Sequence, residues 1–127
     1  VHELDELTYA VACPRKILPF PVQLNRLPGL IHHRLRDLLV EEGGLPAQGV
    51  GVAEVDCSGS TALCFSAPVC GDLLYRNNKV AGSALRAWRE GILIQGSIQR
   101  LPLAQPFLAS LLSIAVAQVF HSEADSL

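Results

Sequence analysis

The sequence predicts an α+β fold: a mostly antiparallel sheet with helices packed on it, in a single domain over residues 1–127. Three observations carry this expectation. Segments with strand-like alternation crowd residues 72–99, the turn signals between them are short enough for hairpins, and two stretches place apolar residues at helical spacing. A chain of 127 residues makes one domain. It is 50% hydrophobic and 17% charged, a balance that excludes intrinsic disorder. Ten basic against twelve acidic residues give a net charge of −2, so there is no basic excess of the kind that marks a nucleic-acid partner.

The first strand is Leu7 to Cys13, with Leu7, Tyr9, Val11 and Cys13 on a bulky face and Thr8, Ala10 and Ala12 on a small one. Pro14, Pro19, Pro21 and Pro28 predict a loop over 14–28. Leu30 to Glu42 follows as a helix, apolar at Leu30, Ile31, Leu35, Leu38 and Leu39 and stopped by Gly43-Gly44. Residues 45–51 read as a connector, and one or two short strands are expected within 52–65. Asp72 to Arg76 is a strand, and Asn77-Asn78 supplies the two left-handed residues of a type I′ turn. The return strand runs from Lys79 to Ala87, a turn falls near Arg89-Glu90-Gly91, and the last strand is Ile92 to Gln99. Pro106 suits the first position of a final helix, whose apolar face runs from Phe107 to Phe120 and which is expected to fray from Ser122.

Four cysteines, Cys13, Cys57, Cys64 and Cys70, contain no CxxC pair, so no structural metal site is expected. The opening residues lack the basic-then-apolar pattern of a secretory signal. The longest apolar stretch, 106–120, is interrupted by Ser110, Ser113 and Gln118 and is too short to span a bilayer. A cytoplasmic protein with reduced thiols and no membrane segment is expected. The chain has no methionine and opens close to a strand, so a partial or trimmed domain is expected.

The segment that points to chemistry is Asn77-Asn78-Lys79-Val80-Ala81-Gly82-Ser83-Ala84. Small residues in succession within a strand mark close approach of a ligand or another backbone. Strict alternation puts Lys79, Ala81 and Ser83 on one face, where a lysine above small side chains can hold a carboxyl, phosphate or acyl group. The plainer alternative is a surface lysine beside a turn, with the small residues packed under a helix.

Asp72-Leu-Leu-Tyr-Arg-Asn-Asn-Lys-Val-Ala-Gly-Ser-Ala84, followed by Gly91-Ile-Leu-Ile-Gln-Gly-Ser-Ile98, resembles the biotin/lipoate A/B protein ligase family in its lipoate-protein ligase and octanoyltransferase branch. Members carry an aspartate-started hairpin ending in Lys-[Val/Ile]-x-Gly-Ser-Ala-Gln, then a strand with His-Gly-[Ser/Thr]. Val1-His2 with Leu7-Thr8-Tyr9, and Cys64-Phe65, are similar to further family elements. The resemblance implies a class II biotin/lipoate ligase-like catalytic fold, present in part. It implies acyl transfer in protein lipoylation, moving a lipoyl or octanoyl group to a carrier-domain lysine. The acyl group would derive from lipoate or octanoate, with ATP and Mg in a ligase. The partner would be an acyl carrier protein or a lipoyl carrier domain.

By the same resemblance Lys79 sits at the acyl carbonyl, where a fixed ammonium opposes developing negative charge. Ala81, Gly82 and Ser83 line the acyl site through their backbone, with Gly96, Ser97 and His2 close to it. Cys64 is the candidate thioester nucleophile and Cys70 the second, each with the alternative of a buried small hydrophobe. Cys13 and Cys57 are expected to be inert. Three departures stand out: Leu85 replaces the family's glutamine, Gln95 its histidine, and the Arg-Arg-x-x-Gly-Gly-Gly element is absent from the chain. A partner chain or a missing segment would then complete the site, or the chain would be a non-catalytic member that binds a carrier. Arg86, Arg89 and Trp88 are candidates to face an acidic carrier. His32 and His33, adjacent on the first helix, point apart and are expected to be solvated or capped rather than chelating.

Overall fold

The computed structural model describes residues 6–14, 26–53 and 71–125, with side chains as far as 121. Cys57, Cys64, Cys70, His2 and most of the expected 52–65 strand region lie outside the described residues. Within them the chain is α+β: β1 (Leu7–Pro14), α1 (Leu27–Glu41), β2 (Val50–Val52), β3 (Leu73–Tyr75), β4 (Asn78–Ala87), β5 (Gly91–Ile98) and α2 (Gln105–Asp125). The five strands form one antiparallel sheet in the order β1-β5-β4-β3-β2.

The expected two-faced β1 is present. Leu7, Tyr9 and Val11 are half-buried and Cys13 is buried, while Thr8, Ala10 and Ala12 are exposed. The bulky row meets Ile98, Gly96, Ile94 and Ile92 of β5 across the ladder. Ile92, Ile94 and Ile98, with Leu73 and Val50, form the sheet's contribution to the core. Cross-strand apolar pairs of this kind are the unit of sheet stability.

The helices cover this face. α1 lies against β2, β3 and β4, and α2 packs on α1. Leu27, Ile31, Leu35 and Leu39 of α1 are fully buried, as are Leu108 and Ala115 of α2 to within about a hundredth of their surface. α1 begins at Leu27 rather than Leu30, because Pro28 occupies the first turn, where its missing N–H costs nothing. α2 continues to Asp125, past the expected fraying point at Ser122. Residues 45–51, expected to be a connector, contain a 3₁₀ turn (Ala47–Gly49) and the edge strand β2. Arg36 fixes that region by donating to the carbonyls of Val50 at 3.0 Å and Ala47 at 2.9 Å.

Two corrections concern the hairpin. The turn between β3 and β4 is made by Arg76 and Asn77, both left-handed (φ 52° and 66°), with Tyr75 opposite Asn78. It sits one residue earlier than the Asn77-Asn78 pair suggests. The ladder then slips: Leu73 pairs with Ala81 but Leu74 with Lys79, leaving Val80 as an extra residue in β4. This β-bulge buries Val80 and Ala81 together. It also breaks the alternation that the sequence suggests for Lys79, Ala81 and Ser83.

Candidate functional site

Because of the bulge, Lys79 leaves the helix-covered face and lies over Gly82 on the opposite one. A methyl group built on Gly82 would come within 2.9 Å of Lys79 Cε, 3.2 Å of its Nζ and 3.3 Å of Asp72 Oδ1. Gly82 is therefore the floor on which the lysine rests. Lys79 Nζ is 3.1 Å from Asp72 Oδ2, and the Asp72 side chain is 4% exposed against 28% for the lysine. Asp72 therefore holds the ammonium at one point, while the lysine stays partly open to solvent.

The ammonium faces an open groove of about 680 Å³. Asp72, Lys79, Gly82, Ser97, Gln99 and Arg100 line it, with Ala81 and Ser83 also on its wall. The side walls come from the end of β5. Ser97 Oγ donates to Glu6 Oε2 at 2.8 Å, and Gln99 Nε2 to the same oxygen at 3.0 Å. The Gln99 backbone N–H donates to the carbonyl of the bulged Val80 at 2.7 Å, tying the end of β5 to the bulge. Arg100 follows with a left-handed backbone (φ 64°), which turns its side chain into the groove rim. Among the described residues, two cations, Lys79 and Arg100, line the groove beside Asp72, with Glu6 bonded behind Ser97 and Gln99.

The residues marked by sequence divide into two sets. Lys79, Gly82 and Ser97 come together on the groove face, joined by the backbone of Ala81 and Ser83. The side chain of Ser83 and the open Cα of Gly96 belong to the other face. There the Tyr9 ring crosses Gly96 so closely that a methyl group would sit 2.5 to 2.6 Å from Tyr9 Cζ, Cε1 and Oη. Gly96 is needed to admit the tyrosine. Leu85 also faces the helices, packed against the core, so the family glutamine's position does not reach the groove. Gln95 is exposed and lies between Ala10 and Ala84 on the outer face. Cys64 and His2 are outside the described residues.

Of the two expected states for the histidines, solvated or capped, His32 takes the second: it is buried, 1% exposed, while His33 beside it is exposed. Its Nε2 is 3.0 Å from Tyr9 Oη and its Nδ1 is 2.6 Å from the Gly71 carbonyl oxygen. Burial lowers its pKa from the ordinary histidine value; the bond to Gly71 and the charge of Asp72 work against that, and His33 adds to it. Burial also pushes the Tyr9 hydroxyl upward, partly offset by a hydrogen bond from Ser83. Cys13 is buried against Ile92 and its thiol is likewise pushed up by burial, as suits an inert position.

Gln99, Arg100 and Glu6 were not marked by sequence, and Asp72 was named only as the first residue of the hairpin motif, without a role. Asp72 could have been found as the lone acid opening an apolar strand whose hairpin partner carries the lysine. The others depend on where β5 ends relative to the bulge. Among the described residues no three His, Cys, Asp or Glu side chains converge to hold a metal ion. No helix among them is long and apolar enough to cross a membrane. No family model, curated protein or solved structure matches the chain.

Proposed function

We propose that this chain carries an acyl-transfer site of the lipoate-ligase and octanoyltransferase type, within a partial class II biotin/lipoate ligase-like fold acting in the cytoplasm. One observation carries the reading: a lysine ammonium, oriented by a buried aspartate at 3.1 Å, resting on a glycine floor inside an open groove. A positioned ammonium in this setting binds a carboxyl or acyl-phosphate oxygen and opposes the charge that develops there during acyl transfer. The small floor lets the lysine lie close to the backbone, with its ammonium beside Asp72 at the groove. Arg100 adds a second cation to the same groove. The acyl group is a lipoyl or octanoyl chain, and its acceptor is a carrier-domain lysine.

In a ligase, ATP with Mg²⁺ supplies the activation. Of the acids at the groove, Asp72 is engaged by Lys79 and Glu6 by Ser97 and Gln99, so no magnesium-holding role is assigned to them. In a transferase, Cys64 would carry the acyl group as a thioester. The test is intact mass after incubation with octanoyl-acyl carrier protein, and separately with octanoate, ATP and Mg²⁺, using a lipoyl domain as acceptor. A hydroxylamine-labile adduct lost in Cys64→Ser identifies the transferase. ATP-dependent acylation of the acceptor identifies the ligase. In either case Lys79→Ala must abolish transfer while the fold is kept; transfer at the wild-type rate in that variant sinks the site.

A second reading is favoured by the β4–β5 hairpin, where Trp88 is 47% exposed between exposed Arg86 and Arg89. In this reading the chain binds an acyl carrier or lipoyl domain without acylating it, or does so beside a partner chain. Carrier binding that is lost in Trp88→Ala, with no acylation under any condition above, supports it.

A further inference from the structure

Behind the groove a chain of hydrogen bonds runs through the core. Its direction follows from chemistry. The Gly71 carbonyl can only accept, so His32 Nδ1, 2.6 Å away, carries the ring proton. Nε2 is then the acceptor, and the Tyr9 hydroxyl at 3.0 Å donates to it. The ring is neutral and locked in one tautomer. No buried side-chain nitrogen or oxygen among the described residues lacks a partner.

An apolar residue would fill this place in α1 as well as a histidine, so the polar ring is there to hold something. What it holds is Gly71. That residue is left-handed (φ 92°), and its Cα passes so near the first turn of α1 that a methyl group on it would lie 3.2 Å from Gly29 Cα. One helical turn on from Gly29, His32 is the first side chain able to reach the Gly71 carbonyl. The backbone here has two further ties: Gly71 N–H to the Ala53 carbonyl at 3.0 Å, and Ala53 N–H to the Asp72 carbonyl at 2.8 Å. The next side chain is Asp72, which holds Lys79.

We propose that His32 is a positioning residue for Lys79: its Nδ1–H fixes the Gly71 carbonyl, which sets the direction of the Asp72 carboxylate and, through it, the ammonium. Its consequence for catalysis rests on the reading of Lys79 as the acyl-site residue. The geometric claim does not need it. The chain offers a clean probe, because it contains two lysines, Lys79 and Lys16. Acetylation of the full-length native protein by dilute acetic anhydride, read by peptide mass spectrometry, gives the reactivity of Lys79 relative to Lys16 without any substrate.

His32→Leu, which removes the donor, is expected to raise the relative reactivity of Lys79 about fivefold, the factor equivalent to about 1 kcal/mol of ion-pair energy. His32→Asn, whose amide nitrogen can replace Nδ1–H, is expected to return it to within about twofold of wild type. A general loosening of the core would give no such rescue. The wild-type ¹⁵N spectrum of His32 should show a neutral ring protonated at Nδ1. If His32→Leu does not fold, Tyr9→Phe serves instead, since loss of the donor to Nε2 leaves the ring tied at one end only and weakens the hold on Gly71. Unchanged Lys79 reactivity in the folded His32→Leu or Tyr9→Phe variant overturns the proposal, as does an Nε2-protonated ring. Loss of octanoyl transfer in every assay above, with the reactivity changes intact, overturns the acyl reading and leaves the positioning role standing.

Discussion

Replacing Gly82 with alanine tests how the lysine is held without touching either charged residue. The new methyl would lie 2.9 Å from Lys79 Cε. The lysine end is flexible, so it yields and the strand does not. Clearing the contact moves the ammonium away from Asp72, from 3.1 Å to about 4 Å. At an effective dielectric of about 20, the attraction falls from about 5.4 to about 4.1 kcal/mol, a loss of about 1.3 kcal/mol. Alanine also gains about 0.4–1 kcal/mol by restricting the unfolded chain. That gain must be cancelled by a control. Gly51 provides one, since a methyl there meets nothing within 4 Å. The expected result is that Gly82→Ala is less stable than Gly51→Ala by about 1 kcal/mol in urea denaturation at pH 7, with equal m-values. Lys79 should also become more reactive toward acetic anhydride in Gly82→Ala alone. Equal stability of the two variants together with unchanged Lys79 reactivity would refute the glycine-floor geometry.

Three other outcomes follow from the core. Because burial lowers the pKa of His32, the unfolded state takes up a proton below about pH 6.5 that the folded state excludes; stability is complete above that pH and falls beneath it by up to about 1.4 kcal/mol per pH unit. Urea midpoints of wild type and His32→Asn at pH 7.5 and 5.5 should therefore converge on acidification, and parallel curves would count against a neutral buried ring. Gly96→Ala drives a methyl into a Tyr9 ring that His32 holds in place, and should cost about 3 kcal/mol in the same assay. Arg36→Ala removes donors to the Val50 and Ala47 carbonyls and should cost about 1–2 kcal/mol, with amide protection lost first across Val50–Val52 in hydrogen exchange.

Much of the fold was legible because burial follows alternation. The two faces of β1, the three β-strands of 73–98 and both helices stand where side-chain spacing put them. The misses depend on how strands pair or on a partner distant in sequence, neither of which side-chain spacing reports. Asn77-Asn78 is a good local turn signal, yet the pairing of Tyr75 with Asn78 put Arg76 in a left-handed conformation instead. Nothing in Val80-Ala81 announces a bulge, since both are apolar and both are buried, and yet the bulge decides which face receives Lys79. For His32, spacing left solvated and capped both open, because its acceptor lies 39 positions away. Lys79 and Gly82 were found as a site because they are charged or small within a strand, a conflict with strand chemistry that is visible locally; Ser97 entered only through the resemblance to the ligase family. Asp72, Gln99 and Arg100 carry no such conflict.

The order of the strands has a kinetic consequence. β3, β4 and β5 are joined by tight turns, whereas β1 pairs with β5 from Pro14 opposite Gly91 to Leu7 opposite Ile98, across more than seventy intervening residues. Closing a loop of that length carries an entropic cost of about 4 kcal/mol before the first contact forms, against far less for either hairpin. The β3–β5 meander can therefore collapse first, bringing Lys79, Asp72 and Gly82 together at once, with β1 docking last. Tyr9 arrives with β1, so the hydroxyl that donates to His32 Nε2 is absent until the final step of folding. Mutations in the meander should slow folding, and mutations in β1 should mainly speed unfolding.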